Sequence, residues 1–119
     1  TFGRPLSKHQ SVREDISRMF SEIEMARLLV LKTSHKIDEQ GVPASIDMIA
    51  AAKTTIPLLM QNVIDRAMQM HGAGGLTADY CMAEGYNYAR WCRQADGPDQ
   101  VHQMALGKQI IERYSGAKV

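Results

Sequence analysis

The sequence predicts an all-α protein, an up-and-down four-helix bundle. Three observations carry that expectation. Apolar residues recur at intervals of three and four, no stretch alternates with the two-residue period of a strand, and three breaks rich in glycine or proline cut the pattern into four segments with short connections. At 119 residues the chain is one domain's worth, long enough to bury roughly two thirds of its unfolded surface.

The first segment sets Val12, Ile16, Met19, Ile23, Ala26, Val30, Thr33 and Ile37 on one stripe, which predicts a long helix near residues 8–40. Ser7 followed by Gln10 makes a capping-box pattern at its start, and Gly41, Val42 and Pro43 stop it. Phe20, Leu28 and Leu31 fall off the stripe, so this helix should bury more than one face, as happens where a bundle also forms a subunit contact. A second helix is expected over 45–70, with Ile49, Ala52, Ile56, Leu59 and Val63 on one face. Pro57 lies inside it; proline removes one backbone hydrogen bond and should kink this helix rather than end it, because the pattern resumes beyond. "HGAGGLTAD" then breaks the chain, a third helix is expected near 79–94, and after "ADGP" a fourth carries Val101, Met104, Lys108 and Ile111 at helical spacing. The closing "SGAKV" reads as a tail.

A formal net charge of +1, with lysines and arginines scattered in no run of three, gives no electrostatic case for nucleic acid or an anionic membrane. No apolar stretch is long enough to span a bilayer, and "TFGRPLSKHQ" has no signal-peptide core. The two cysteines, Cys81 and Cys92, fall on one expected helix roughly 16 Å apart, too far for a mutual disulfide, which fits a reducing compartment. Eight methionines suit adaptable core packing.

Three patterns bear on chemistry. A di-iron bundle needs paired Glu-x-x-His motifs; only Asp99-x-x-His102 comes near, and neither His-x-x-x-His nor Cys-x-x-Cys occurs, so no metal site is expected. "QMHGAGG" has three glycines within four residues where one would close a helix; a generous loop, or a backbone surface for a phosphate, would each account for them. Asp96 precedes Gly97 and Pro98, with Asp99 three residues on, a spacing that suits the N-cap of the fourth helix. The same residue could serve as an acid–base group, although the spacing by itself favours the cap.

Taken together these segments resemble the C-terminal helical domain of acyl-CoA dehydrogenases, over essentially the whole chain and in the right order. "TFGRPLSKHQ" is similar to the family's Arg-x-x-Phe-Gly-x-x-Leu-x-x-x-Gln signature without its first arginine, with Phe2, Gly3, Leu6 and Gln10 in the matching places. "AMQMHGAGGLTADY" is similar to the Gln-x-x-Gly-Gly-x-Gly-Tyr stretch through Gln69, Gly72 and Gly75, with Ala73 at the second glycine and Leu76 at the aromatic. Counting on to "ADGPDQVH" sets Asp96 where the family carries the glutamate of Tyr-Glu-Gly-Thr, with Gly97 and Gln100 also matching.

The resemblance implies FAD as cofactor, an acyl-CoA thioester as substrate, an electron-transfer flavoprotein or oxygen as electron acceptor, and a homo-oligomer, dimer or tetramer. It implies that Asp96 is the base that removes the α-proton and that Gly97 contacts the thioester. Gln10, Gln69, Met70, His71, Gly72 and Ala73 would approach the pyrophosphate and adenosine side of the flavin, partly across a subunit interface, and Pro98, Asp99 and Gln100 would take flavin-contacting places beside the base. It further implies an intracellular protein of bacterial cytoplasm, mitochondrion or peroxisome.

Three departures stand out. Asp96 is one methylene shorter than the usual glutamate, Ala95 and Pro98 replace the motif's tyrosine and threonine, and Asn87 and Tyr88 occupy the places of a common Arg-Asp pair. The Ala-Asp-Gly-Pro-Asp form resembles a subgroup that includes dehydrogenases fused to phosphotransferase-like domains. On this resemblance the chain is expected to be a piece of a larger enzyme whose N-terminal helical and middle β domains lie outside it, and inactive alone. The rival expectation is a non-catalytic helical module for self-association.

Overall fold

The computed structural model describes residues 2–118. It is all-helical, with α1 (Gln10–Gln40), α2 (Ile46–His71), α3 (Met82–Cys92) and α4 (Asp99–Ser115) in the expected order. Short 3-10 turns at Leu6–Lys8, Pro43–Ser45 and Gly72–Leu76 precede α1, join α1 to α2, and follow α2. Of the expected tail, residues 116–118 follow α4 without regular structure, and Val119 lies outside the described residues.

The local stops and starts have identifiable causes. Gly41 ends α1 at φ +79°, donating its N–H to Ile37 O at 2.8 Å. Ser45, wholly buried, donates its hydroxyl back to Gly41 O at 2.8 Å and fastens the α1–α2 connection. α2 runs unbroken through Pro57, which is buried. The expected capping box does not form: α1 starts at Gln10 with no side-chain cap, Ser7 sits in the preceding 3-10 turn, and the Gln10 amide donates forward to Glu14 at 2.8 Å. Once the chain turns at residues 6–8, Ser7 is no longer placed to reach the first α1 amides.

α2 is the hub. It packs on α1, α3 and α4, and among the described residues no other pair of these helices packs together. Small residues allow its closest approaches: Ala50 and Ala89 are buried, and a Cβ on Gly85 of α3 would come within 3.3 Å of Ile64 Cδ1 on α2. Ion pairs join the remaining contacts. Glu22 of α1 meets Arg66 of α2 at 2.6 Å. The carboxylate of Asp47, in the first turn of α2, accepts from Lys36 of α1 and Arg113 of α4 at 2.7 Å each, and from its neighbour's N–H at Met48. The Lys36 and Arg113 hydrogen bonds hold the Asp47 carboxyl well below the usual carboxylate range, against an opposing push from burial.

An arrangement built around one helix leaves the other three half covered. The chain exposes 8361 Å², where a compact monomer of 13.3 kDa is expected to expose about 6,450 Å². The fraction of unfolded surface removed is therefore nearer to about 57% than to the two thirds the chain length allows. The excess, about 1,900 Å², exceeds the roughly 800 Å² that one partner contributes to a standard interface. Much of it is apolar: Phe20 (67% exposed) and Leu28 (63%) on α1, Trp91 (58%) on α3 and Met104 (72%) on α4. Phe20, Leu28 and Leu31, expected to bury a second face of α1, point to solvent in the single chain.

Candidate active site

The turn from α3 to α4 carries Asp96. After Cys92 the chain tightens, with Gln94 and Ala95 both donating to Trp91 O, and then reverses through two residues of positive φ, Asp96 at +55° and Gly97 at +103°. Aspartate is among the few side chains that tolerate the left-handed region, which costs other non-glycine residues about 1–2 kcal/mol. Backbone strain of this kind collects at functional sites. The reversal also answers whether Asp96 caps α4. It does not: the cap position belongs to Pro98, extended at φ −67° and ψ 160°, with no side-chain cap bond. Two left-handed residues in succession swing residue 96 away from the α4 amides. Its exposed carboxylate has no hydrogen-bond partner among the described residues.

Three side chains hold this turn, and sequence reasoning singled out none of them for it. Lys53, on α2, donates through Nζ to Cys92 O and to Gly97 O at 3.3 Å. His102, in α4, sets Nε2 3.0 Å from Asp96 O. Arg93 donates to Asp99 Oδ2 at 2.7 Å and to Gln61 Oε1 at 3.1 Å. One signal was legible: Lys53 is a lone cation inside the otherwise uncharged run "IAAAKTTIPLL".

The expected site residues fall into two groups. Gly97, Pro98, Asp99 and Gln100 stay with Asp96, but Asp99 departs from expectation. Its side chain is turned inward, 6% exposed and bonded to Arg93, with Oδ1 buried and unpartnered. Its N–H is taken as well, donating to Arg93 O at 3.2 Å, so Asp99 offers a cofactor neither its carboxylate nor that donor. The second group sits at the far end of α2. Gln69, Met70 and His71 form its last turn, and Gly72, at φ +58°, closes it by donating to Gln69 O. Leu6 and Val12 line one concavity with Gln69 and Met70, so the start of α1, with Gln10, lies at this same end. Gln69, Gly72 and Ala73 border a second concavity of about 360 Å³. Lys53 and Gln69 are separated by 16 positions of α2, or about 24 Å at the helical rise per residue. One copy of the chain thus presents two separate patches.

The glycine run divides by cause. Gly72 supplies the left-handed residue that ends α2. Gly75 is buried, and a Cβ there would lie 2.7 Å from Met68 O and 2.9 Å from Met68 Cα, so it is glycine to let the loop lie on the backbone of α2. Gly75 is therefore turned to the protein, and the exposed surface of the loop comes from Gly72, Ala73 and Leu76.

A larger concavity, about 590 Å³, opens along α3 and is lined by Asn87 and Tyr88, the two places that depart from the Arg-Asp pattern, together with Trp91, on which Tyr88 stacks at 5.6 Å. Asp96 does not line it. Cys81 and Cys92 are both free thiols. Among the described residues no group of three or more His, Cys, Asp or Glu side chains is placed to hold a metal ion, and no helix is long and apolar enough to cross a membrane.

An all-helical domain with a strained acidic turn between its last two helices is the class that fold and site define. The family profile for the acyl-CoA dehydrogenase C-terminal domain matches residues 1–111, and the chain belongs to that family. Mouse acyl-CoA dehydrogenase family member 10 is 44% identical over 114 residues, 96% of this chain and 11% of that protein. A solved Mycobacterium abscessus structure described as an acyl-CoA dehydrogenase superimposes with a TM-score of 0.92 at 36% identity, covering 96% of this chain and 28% of its own. Butyryl-CoA dehydrogenase from Megasphaera elsdenii superimposes with a TM-score of 0.84 at 31% identity, covering 93% and 28%. The chain thus spans well under a third of the length of these relatives.

Proposed function

We propose that this chain works as the C-terminal domain of a flavin-dependent acyl-CoA dehydrogenase and that Asp96 is its catalytic base. The observation that carries the reading is the exposed, unpartnered carboxylate held in a left-handed turn just before α4, in a chain of this family. The α-hydrogen of an acyl-CoA thioester is weakly acidic, so its removal needs a positioned base. Asp96 takes that proton onto a carboxylate oxygen as the β-carbon loses a hydride. Bound FAD supplies the hydride-accepting chemistry.

In this single chain the Asp96 carboxylate faces water. Apolar walls from other domains, and the substrate itself, would exclude that water and make the carboxylate a stronger base. The N-terminus of α4, immediately after Gly97, favours the enolate-like charge that develops on the thioester. Asp96 is one methylene shorter than glutamate, and the left-handed backbone sets where that shorter arm starts.

The donor chemistry present fits a flavin nucleotide. Gln69 and Gln100 are exposed amides with no partner among the described residues, and Gly72 is open, with nothing within 4 Å of a Cβ position. In the proposed assembly Gln10, Gln69, Met70, His71, Gly72 and Ala73 would meet the pyrophosphate and adenosine side, while Pro98, Asp99 and Gln100 would lie beside the base, with the Asp99 carboxylate and N–H held by Arg93, and Gly97 would meet the thioester. A separation of about 24 Å along α2 suits the two patches to flavins bound in different subunits of a dimer or tetramer. Electron-transfer flavoprotein or oxygen then completes the cycle as acceptor.

The test is Asp96→Asn in the complete enzyme. Flavin reduction by acyl-CoA should fall by about 10²–10⁴-fold with folding and flavin content intact. The large exposed apolar surface of α1 favours a second reading, a module whose work is self-association. That reading requires unchanged turnover in the same variant.

A further inference from the structure

We propose that Lys53 and His102 are positioning residues for the base, an inference that rests on the reading of Asp96 above. The half-buried ammonium of Lys53 reaches carbonyls on two different segments, Cys92 O at the end of α3 and Gly97 O in the turn. A cation at a helix C-terminus is a common stabilising device and explains the first bond. The second bond has no such explanation, because Gly97 lies beyond the helix. His102 approaches from α4 and meets Asp96 O at 3.0 Å. A carbonyl can only accept, so Nε2 must carry the hydrogen.

Two successive carbonyls, those of residues 96 and 97, are thereby pinned from two helices. Fixing the Asp96 carbonyl fixes the rotation about its Cα–C bond, and with it the direction in which the side chain leaves the backbone relative to α4. The turn needs such restraint, because both of its residues lie at positive φ. Gly97 also leaves the histidine room: a Cβ there would stand 3.1 Å from His102 Nε2. Neither residue touches the reacting atoms; both act through the backbone that carries Asp96.

The experiment uses the complete flavoenzyme with Lys53→Met, His102→Leu, His102→Gln and Asp96→Asn, measuring flavin reduction at saturating acyl-CoA, KM, and amide hydrogen exchange of the peptide spanning 93–101. Misplacement of a reacting group by about 1 Å costs on the order of 100-fold. Lys53→Met and His102→Leu should each slow flavin reduction by about 10–100-fold with KM nearly constant, and exchange in 93–101 should rise. His102→Gln, which keeps an N–H near the position of Nε2, should restore most of the rate and the protection. Unchanged reduction and exchange in both Lys53→Met and His102→Leu, with Asp96→Asn inactive, overturns the positioning role and leaves the base in place. An active Asp96→Asn overturns the base itself. Should Lys53→Met fail to fold, the His102 pair decides the matter.

Discussion

Replacing Gly75 by alanine should be the most damaging single-methyl change in the loop after α2. Its Cβ would lie 2.7 Å from Met68 O and 2.9 Å from Met68 Cα, roughly 0.8 Å inside the ~3.5 Å at which such atoms rest. The obstructing atoms are backbone within α2 and cannot rotate aside as a side-chain end would. The cost therefore belongs at the top of the overpacking range, about 3 kcal/mol, or roughly 10 °C in Tm for a domain of this size. Two controls isolate the cause. Gly116→Ala, just past α4, meets nothing within 4 Å but must hold the left-handed region at φ +69° and ψ −1°, and should lose about 1 kcal/mol. Gly107→Ala, inside α4 with nothing within 4 Å, should gain about 0.5–1 kcal/mol from helix propensity. Thermal unfolding of the purified variants beside the parent should rank them Gly107→Ala, parent, Gly116→Ala, Gly75→Ala. A Gly75→Ala protein as stable as Gly116→Ala would refute the close-approach reasoning.

Acid stability tests the Asp47 network. Its folded pKa is depressed, chiefly by the Lys36 hydrogen bond and then by Arg113, so its contribution is full above the unfolded value of about 3.9 and is lost as pH falls through the folded value. Asp47→Asn should be less stable than the parent at neutral pH, with the gap closing below about pH 4; a gap constant down to pH 2 in denaturant titrations would contradict the sign. For association, Phe20→Glu with Leu28→Glu should shift the complete enzyme to smaller species in sedimentation velocity, since both side chains are more than 60% exposed in the single chain. An unchanged sedimentation profile would move the subunit contact elsewhere.

Helix order was legible because its signals are local. Gly41 and Gly72 stop α1 and α2 at or next to the expected places, and Pro57 leaves α2 continuous as the resumed pattern required. Boundaries were less legible where side chains redirect the chain. The third helix, expected over 79–94, is Met82–Cys92. Thr77 bonds back to Gly74 O and the segment after it turns before α3 starts. The cap expected of Ser7 for α1, and the cap reading weighed for Asp96 at α4, do not form, since a cap depends on the φ and ψ of the residues between it and the helix.

By itself the sequence determined four amphipathic helices, the glycine breaks between them, and an Asp-Gly pair at the last turn, because periodicity and turn chemistry act within a few residues. Only tertiary structure decided that Lys53 would hold Gly97, 44 positions away, that Arg113 would reach Asp47 across 66, and that Gly75 must be bare to lie on Met68. It also buried Asp99 against Arg93 and left the apolar faces of α1 and α4 uncovered. The physical reason is that a donor's choice of carbonyl, and the face a helix hides, follow from where helices cross. That crossing is set by the packing of all four around α2.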